Sequence, residues 1–185
     1  MNSYYSYSYD RMQWRYPMPA YWPPQQDWRY WQPYAGGIIQ YTRNDENPLV
    51  ELKDYGGQPF VVNIEQAAKR NPNYRTAIWT GKHLQVTLMS IDVGGDIGLE
   101  VHPDVDQFIR IEQGQGLVQM GGRKDRLEFE RNVSEDDAIM IPAGTWHNVT
   151  NIGHVPLKLY SIYAPPEHPF GTVHRTKAEA MAAYR

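Results

Sequence analysis

GGDIGLEVHPDVDQFIRIEQG, residues 94–114, is the stretch from which most of the fold can be predicted. It places Glu100 and His102 one residue apart on a predicted strand over 97–102. Successive side chains of a strand point to opposite faces, so residues two apart share a face. Carboxylate and imidazole groups both bind metal ions. The spacing therefore predicts that these two side chains form half of a metal site.

A second stretch, DDAIMIPAGTWHNVTN at residues 136–151, supplies a further histidine. His147 follows directly after the turn sequence that begins at Pro142 and contains Gly144. This histidine is the candidate for the other half of the site.

Together the two stretches resemble the paired motifs of the cupin superfamily. The spacing of the first family motif, G-x5-H-x-H-x4-E-x6-G, is matched by Gly94, Glu100, His102, Gln107 and Gly114. The spacing of the second, G-x5-P-x-G-x2-H-x3-N, is matched by Asp136, Pro142, Gly144, His147 and Asn151. The chemistry departs from the family at three positions. Glu100 replaces a histidine, Gln107 replaces a glutamate, and Asp136 replaces a glycine.

The resemblance implies an all-β jelly-roll barrel whose interior holds a divalent metal ion. Carried onto this sequence, the ligand positions are Glu100, His102, Gln107 and His147. With Glu100 as the only anion, a divalent ion keeps a formal charge of +1, as with the family's three histidines and one glutamate. The donor set leaves Fe, Mn, Zn and Ni open. The alternative is a hydrogen-bonded polar cluster in a barrel that has lost its metal.

Composition limits the class of protein. The 185 residues suffice for one domain with an extension or two small domains, and the absence of cysteine excludes disulfides and thiolate metal sites. A net charge of −3 without a basic block disfavours nucleic acid and anionic membranes as partners. No apolar run is long enough to span a bilayer and no signal peptide is recognisable, so a cytoplasmic protein is expected.

The first 37 residues differ in kind from the rest. They hold eight of the fourteen tyrosines, four of the six tryptophans and five prolines, but no Val, Ile or Leu. Such a segment has no periodic apolar face, so residues 1–37 are predicted to be a low-complexity tail without a packed core. The tail either drapes over its own domain or serves as an assembly arm, and in composition it resembles the Tyr-rich tails of bacterial spore-coat proteins. Residues 38–55 are predicted to be transitional and 56–185 to be the cupin domain.

Short alternating or apolar runs separated by Gly, Pro, Asn and Asp predict a β-rich domain. The predicted strands are 58–62, 76–80, 83–93, 97–102, 107–112, 116–120, 127–131, 138–141, 146–150 and 157–163. Asn63 with Gln66 predicts a capped helix over 64–70 that precedes the barrel, and Thr176 with Glu179 predicts a C-terminal helix over 177–184. His83, His154, His168 and His174 lie outside the motifs and are interpreted as surface or structural residues.

Three functions are compatible with this sequence. The first is a metalloenzyme for a small molecule, either an Fe- or Mn-dependent dioxygenase-type enzyme or a sugar or sugar-phosphate isomerase. Oxygen chemistry ranks higher, because isomerisation also needs a base and the motifs contain no unassigned Lys, His or Glu. The second is a non-catalytic small-molecule binding module. The third is a structural protein, for example of a spore coat, assembled through its tail. The resemblance also implies a homodimer, and one group of similar single-domain cupins is often labelled mannose-6-phosphate isomerase-like.

Overall fold

A computed structural model describes residues 50–183. In chain order the elements are α1 (Ile64–Arg70), β1 (Arg75–Thr80), β2 (Gln85–Ile91), β3 (Asp106–Gln113), β4 (Gln115–Gly121), β5 (Phe129–Ser134), β6 (Ala138–Ile141), β7 (Trp146–Asn151), β8 (Leu157–Ala164), β9 (Val173–His174) and α2 (Lys177–Ala183). These residues form an all-β jelly-roll architecture with two short helices, as predicted.

The strands form two antiparallel sheets. The larger has the order β6-β3-β8-β2-β1-β9, and the smaller has the order β5-β4-β7. Along β7 and β8, buried positions that point to the other sheet alternate with more exposed positions that point outward, which is the pattern of a two-layer β structure. The apolar core lies between the sheets and includes Ile109 and Ile111 of β3, Leu159 of β8 and Val149 of β7.

The inner face of the larger sheet changes character along its strands. On β2, β3 and β8 the inward positions at one end are Met89, Ile91, Ile109, Ile111, Leu157 and Leu159, here called the apolar end. At the other end they are Gln85, Thr87, Gln107, Ser161 and Tyr163, here called the polar end. Both ends are almost completely buried. The polar end therefore needs internal partners that the apolar end does not.

Helix α1 covers part of the outer face of the larger sheet. Ala67 and Ala68 pack with Ile78 and Leu88 in a second, smaller apolar cluster. The predicted cap is confirmed, because the side chain of Asn63 accepts a hydrogen bond from the backbone N–H of Gln66 at 3.1 Å. The predicted cap of α2 is also present, since Thr176 Oγ1 accepts from the N–H of Glu179 at 3.2 Å.

Two predicted strands are wrong. Residues 58–62 form no strand: Pro59 has no N–H to donate, and the carbonyl of Gln58 accepts from the indole Nε1 of Trp79 at 2.7 Å. Residues 97–102 form no continuous strand: this part of the chain meets β7 at two isolated bridges, Asp96 with Thr150 just before the predicted strand and Glu100 with His147 within it. The other predicted strands overlap β1 to β8, although β5 begins two residues later than predicted, and β9 was not predicted.

The chain divides into Met1–Glu46 and Asn47–Arg185, and the described residues belong to the second part. The predicted tail at 1–37 lies outside the described residues, as do residues 38–49 of the predicted transitional segment and the last predicted residue of α2, Tyr184. The predicted domain boundaries therefore stay predictions. Within residues 50–183, the helices are too short and too polar to cross a bilayer.

Candidate metal centre

Backbone hydrogen bonds hold the first stretch against β7. The N–H of Glu100 donates to the carbonyl of His147 at 3.0 Å, and the N–H of His147 donates to the carbonyl of Glu100 at 2.9 Å. This reciprocal pair fixes the two residues opposite each other without a continuous strand. The predicted convergence of Glu100 with the second stretch is therefore achieved by one bridge.

The turn before β7 connects the two stretches once more. Gly144 has φ +76°, a conformation that residues with a Cβ rarely adopt, and its N–H donates to the carbonyl of His102 at 2.8 Å. The turn thus ties the backbone of His102 to the segment that leads into His147. One turn positions both histidines.

Glu100, His102 and His147 form a compact group. Their candidate ligand atoms all lie within 4.8 Å of one another. Glu100 Oε1 is 3.5 Å from His102 Nε2 and 3.5 Å from His147 Nε2. The histidine side chains are 8% and 0% exposed, whereas a quarter of the Glu100 side chain is exposed. The group is therefore buried on the histidine side and open towards solvent on the carboxylate side.

The Nδ1 atom of each imidazole already has an acceptor. Nδ1 of His147 lies 2.9 Å from the carbonyl oxygen of Thr145, and Nδ1 of His102 lies 3.2 Å from Oε1 of Glu167. Carbonyl and ionised carboxylate oxygens only accept, so both Nδ1 atoms carry the proton. In a neutral imidazole the other nitrogen, Nε2, then presents a lone pair.

Three lone-pair atoms therefore face each other at the centre of the group. Both Nε2 atoms are buried and lack a hydrogen-bond partner within the described chain, and 3.5 Å is too long for a good hydrogen bond to Glu100. Buried polar atoms without partners are unfavourable unless something satisfies them. A cation between two imidazoles and one carboxylate would satisfy all three, so these residues fit a divalent metal ion.

Electrostatics at the centre also favour a cation. Burial raises the pKa of Glu100, but in the metal-free chain hydrogen bonds from the two imidazoles, donated when their Nε2 atoms carry a proton, and the positive charge of Arg75 outweigh it and lower the pKa to about 2. A metal ion between the three groups would take the place of those protons. Burial lowers the pKa of His102, but the carboxylates of Glu100 and Glu167 reverse this and raise it. Glu100 is consequently an anion at neutral pH, and the surroundings of His102 attract positive charge.

Gln107, the fourth predicted ligand, lies on β3 at the polar end. Its Nε2 donates to Ser161 Oγ at 3.2 Å, while its buried Oε1 lacks a hydrogen-bond partner among the described residues. An amide oxygen without a partner has the chemistry expected of a neutral metal ligand. Its coordination to the same ion stays a prediction.

Glu167 was missed from the sequence. It follows β8, outside both motifs, in the stretch APPEHP. Its carboxylate brings a second negative charge to the site, so the formal sum of charge is not the one expected from Glu100 alone. Sequence spacing could not place it, because 65 residues separate it from His102.

Asp136 explains one departure from the family pattern. It has φ +73°, so it occupies the left-handed conformation for which a glycine is the usual choice. Aspartate tolerates this conformation better than most residues, and here its carboxylate pairs with Arg110 at 2.5 Å. The replacement of glycine by Asp136 therefore affects the backbone turn and not the metal centre.

Asn151, the last position of the second motif, closes the turn after β7. Its Nδ2 donates to the carbonyls of Ile91 and Val155 at 3.0 and 2.9 Å, and its Oδ1 accepts from the N–H of Gly153 at 2.9 Å. These contacts connect β2 with the turn between β7 and β8. This motif position thus serves the fold.

A groove of about 430 Å³ lies away from this group. Its lining includes Phe60, Val62, Trp79 and Val86, and none of Glu100, His102 and His147. The groove and the polar group are therefore separate features of the surface.

Comparison with known proteins identifies relatives over most of the chain. Residues 87–163 match the family model described as Cupin domain. The chain is 65% identical over 150 residues to the uncharacterized protein YrkC of Bacillus subtilis, covering 81% of this chain and 80% of that protein. It is 44% identical over 117 residues to the uncharacterized protein L612 of Acanthamoeba polyphaga mimivirus, covering 63% and 71%.

Solved structures agree with the described architecture. The crystal structure of BH2720 from Bacillus halodurans is 68% identical in sequence, with a TM-score of 0.70, and the match covers 70% of this chain and 98% of that one. A Klebsiella pneumoniae protein with a double-stranded β-helix domain is 16% identical with a TM-score of 0.50, covering 64% and 100%. At that identity the second similarity shows the fold alone.

Proposed function

Since this chain belongs to the cupin superfamily, we propose that it binds a divalent metal ion through Glu100, His102 and His147 and acts on a small molecule at that ion. The observation that carries the proposal is that Glu100 Oε1 and two Nε2 atoms without a hydrogen-bond partner among residues 50–183 lie within 4.8 Å of one another. Two imidazoles with one carboxylate are the ligand set of facial-triad non-haem iron sites. Gln107 is the proposed neutral fourth ligand.

The proposed reaction class is oxygen chemistry with Fe or Mn. A bound metal would supply Lewis acidity and open coordination positions for the substrate. The chain's own residues would hold the three donor atoms in a fixed arrangement and keep water away from the histidine side, since both imidazoles are buried. The exposed side of Glu100 marks where a substrate would enter.

Isomerisation of a sugar or sugar phosphate is the second candidate. It requires a base near the ion, and Glu167 is a carboxylate near the site that the motifs do not contain. Its Oε1, however, is already the acceptor for His102 Nδ1 at 3.2 Å. Oxygen chemistry therefore keeps the higher rank.

Metal analysis of the purified full-length chain tests the proposal. We expect one ion per chain after reconstitution with Fe(II) or Mn(II) under anaerobic conditions, and loss of stoichiometric binding in Glu100→Ala and His147→Ala. Oxygen consumption with enolisable and phenolic compounds, compared with sugar-phosphate isomerisation, separates the two reaction classes. A wild-type chain that holds no ion after reconstitution would contradict the proposal.

The remaining expectations concern partners and location. The homodimer, the assembly role of residues 1–37 and a spore-coat location stay predictions from the sequence. They do not depend on the metal centre, because an assembly arm and a metal site can coexist in one chain.

A further inference from the structure

The segment after β8 brings a carboxylate to the outer side of the metal centre. Glu167 Oε1 lies 3.2 Å from His102 Nδ1, on the side of the ring opposite the nitrogen that faces Glu100. The Glu167 side chain is 30% exposed and the His102 side chain 8%. Glu167 therefore contacts His102, a proposed metal ligand, at the ring nitrogen that faces away from the metal centre.

The backbone beside Glu167 is anchored to the larger sheet. Gln85 Nε2 donates to the carbonyl of His168 at 2.8 Å, and Gln85 Oε1 accepts from the N–H of His168 at 2.9 Å. Gln85 is fully buried on β2, and the ring of His168 meets Tyr163 of β8 edge-on, with the ring centroids 4.9 Å apart. The position of Glu167 is therefore set by contacts with two strands.

The two histidines obtain the same tautomer from different acceptors. For His147 the acceptor is the carbonyl of Thr145, a neutral group two residues away. For His102 it is a charged carboxylate 65 residues away. An anionic acceptor strengthens the hydrogen bond and makes the opposite nitrogen more basic. His102 thus depends on a distant segment, whereas His147 depends on its own turn.

We propose that Glu167 is a positioning residue that fixes the Nδ1–H tautomer and the ring orientation of His102. In this arrangement Glu167 does not touch the ion, and Gln85 holds the segment that carries it. The inference rests on the proposed metal-binding function. It implies that metal binding also requires the segment after β8, which lies outside both motifs.

Two variants of the full-length chain, Glu167→Gln and Glu167→Ala, test this role. Glu167→Gln removes the charge and keeps an acceptor, and Glu167→Ala removes both. We expect Mn(II) affinity, measured by competition with a chromophoric chelator, to fall by about 10–100-fold in Glu167→Ala and by less in Glu167→Gln. The control is Glu128→Gln, which changes an exposed carboxylate paired with Arg126 and should leave the affinity unchanged.

Imidazole spectra of the metal-free protein provide the second readout. Long-range proton–nitrogen correlations should show His102 as the Nδ1–H tautomer in the wild type and as a mixture in Glu167→Ala, with His147 unchanged. Wild-type affinity in Glu167→Ala, or a His102 tautomer that does not respond, would overturn the inference. A wild-type chain without metal affinity would instead refute the proposed function, while the spectra would still decide whether Glu167 sets the tautomer.

Discussion

The apolar and polar ends of the barrel interior are built by the same three strands and are equally buried, yet they differ in the hydrogen-bonding capacity of their side chains. On β8, Leu157 and Leu159 are followed on the same face by Ser161 and Tyr163. On β2 and β8 the antiparallel register places the change at one level, because Met89 pairs with Leu159 and Thr87 pairs with Ser161. On β3 the change comes one pair later, since Ile109 pairs with Ser161 and Gln107 with Tyr163. One continuous sheet therefore carries two environments.

The difference shows that stability and chemistry are separated along the strands. Burial of the apolar end contributes hydrophobic stabilisation without any requirement for partners. The polar end contains buried groups without hydrogen-bond partners in the described chain, including Thr87 Oγ1, Gln107 Oε1 and Tyr163 Oη. Such groups are costly to bury. We infer that the hydrophobic stabilisation from the apolar end offsets the cost of burying the polar end.

The largest effect should come from a cavity at the apolar end. Ile109 is fully buried in the core, so Ile109→Ala should lower the free energy of unfolding by about 2–5 kcal/mol, and Ile109→Val by about 0.5–1.5 kcal/mol. Urea unfolding measures both. Met140→Ala, at a position that is 65% exposed, is the control and should change the free energy by at most about 0.5 kcal/mol. Equal losses in Ile109→Ala and Met140→Ala would refute the assignment of the core.

A smaller effect should appear as a pH dependence caused by His168, which packs against Gln85 and Tyr163 of the polar end. Burial, with a contribution from the charge of Arg75, lowers the pKa of His168 from 6.5 to about 3. Below pH 6.5 the unfolded chain takes up a proton that the folded chain does not, so the free energy of unfolding falls as the pH decreases towards 3. The slope should approach about 1.4 kcal/mol per pH unit.

His168→Gln removes this titration and should make the loss between pH 6 and 4.5 less steep. Urea unfolding with excess chelator measures it without a contribution from metal binding. His174, whose pKa is also lowered by burial, remains in both proteins and sets the background. Identical slopes in the wild type and the variant would show that His168 does not stay neutral in the folded state.

The smallest effect should follow removal of one hydroxyl at the polar end. Thr87→Val keeps the shape of the side chain and deletes a buried oxygen that has no hydrogen-bond partner among the described residues. The free energy of unfolding should stay constant or rise by up to about 1 kcal/mol. Thermal unfolding measures the change. A clear loss of stability would show that the hydroxyl has a stabilising partner. The polar end would then contribute to the stability of the fold, as the apolar end does.

The fold and three of the residues at the centre could be predicted because they depend on local pattern and spacing. Alternation gave β3, β6, β7 and β8 nearly complete, and the two motifs contained Glu100, His102 and His147. Alternation misled at 58–62 and 97–102, because a strand also requires a partner with a free edge in register. Residues 97–102 meet β7 at bridges only, so their extended pattern does not become a ladder.

Glu167 could not be predicted, and neither could the proton positions of the two imidazoles. The position of Glu167 and the proton on His102 follow from contacts between residues that are remote in sequence, such as Gln85 with His168 and Glu167 with His102. The acceptor of His147 is close in sequence, since Thr145 lies two residues away, but whether its carbonyl meets the ring depends on the conformation of the turn. A carboxylate in a Pro-rich segment has no periodic signal, and its partner is known only once the segment is placed against the sheet. The tautomers in turn depend on which acceptor lies at each Nδ1.

The order of residues alone determined the two-sheet class, the alternation that separates core from surface, and which donor atoms were present at the two motifs. These are local properties, set by side-chain chemistry and by the two-residue repeat of a strand. The packing of distant segments determines that the Nε2 atoms of His102 and His147 lie close to one carboxylate oxygen of Glu100, and that Glu167 contacts Nδ1 of His102. Hydrogen bonding and Coulomb attraction act over a few ångströms, so they are fixed by how distant segments pack and not by their separation along the chain.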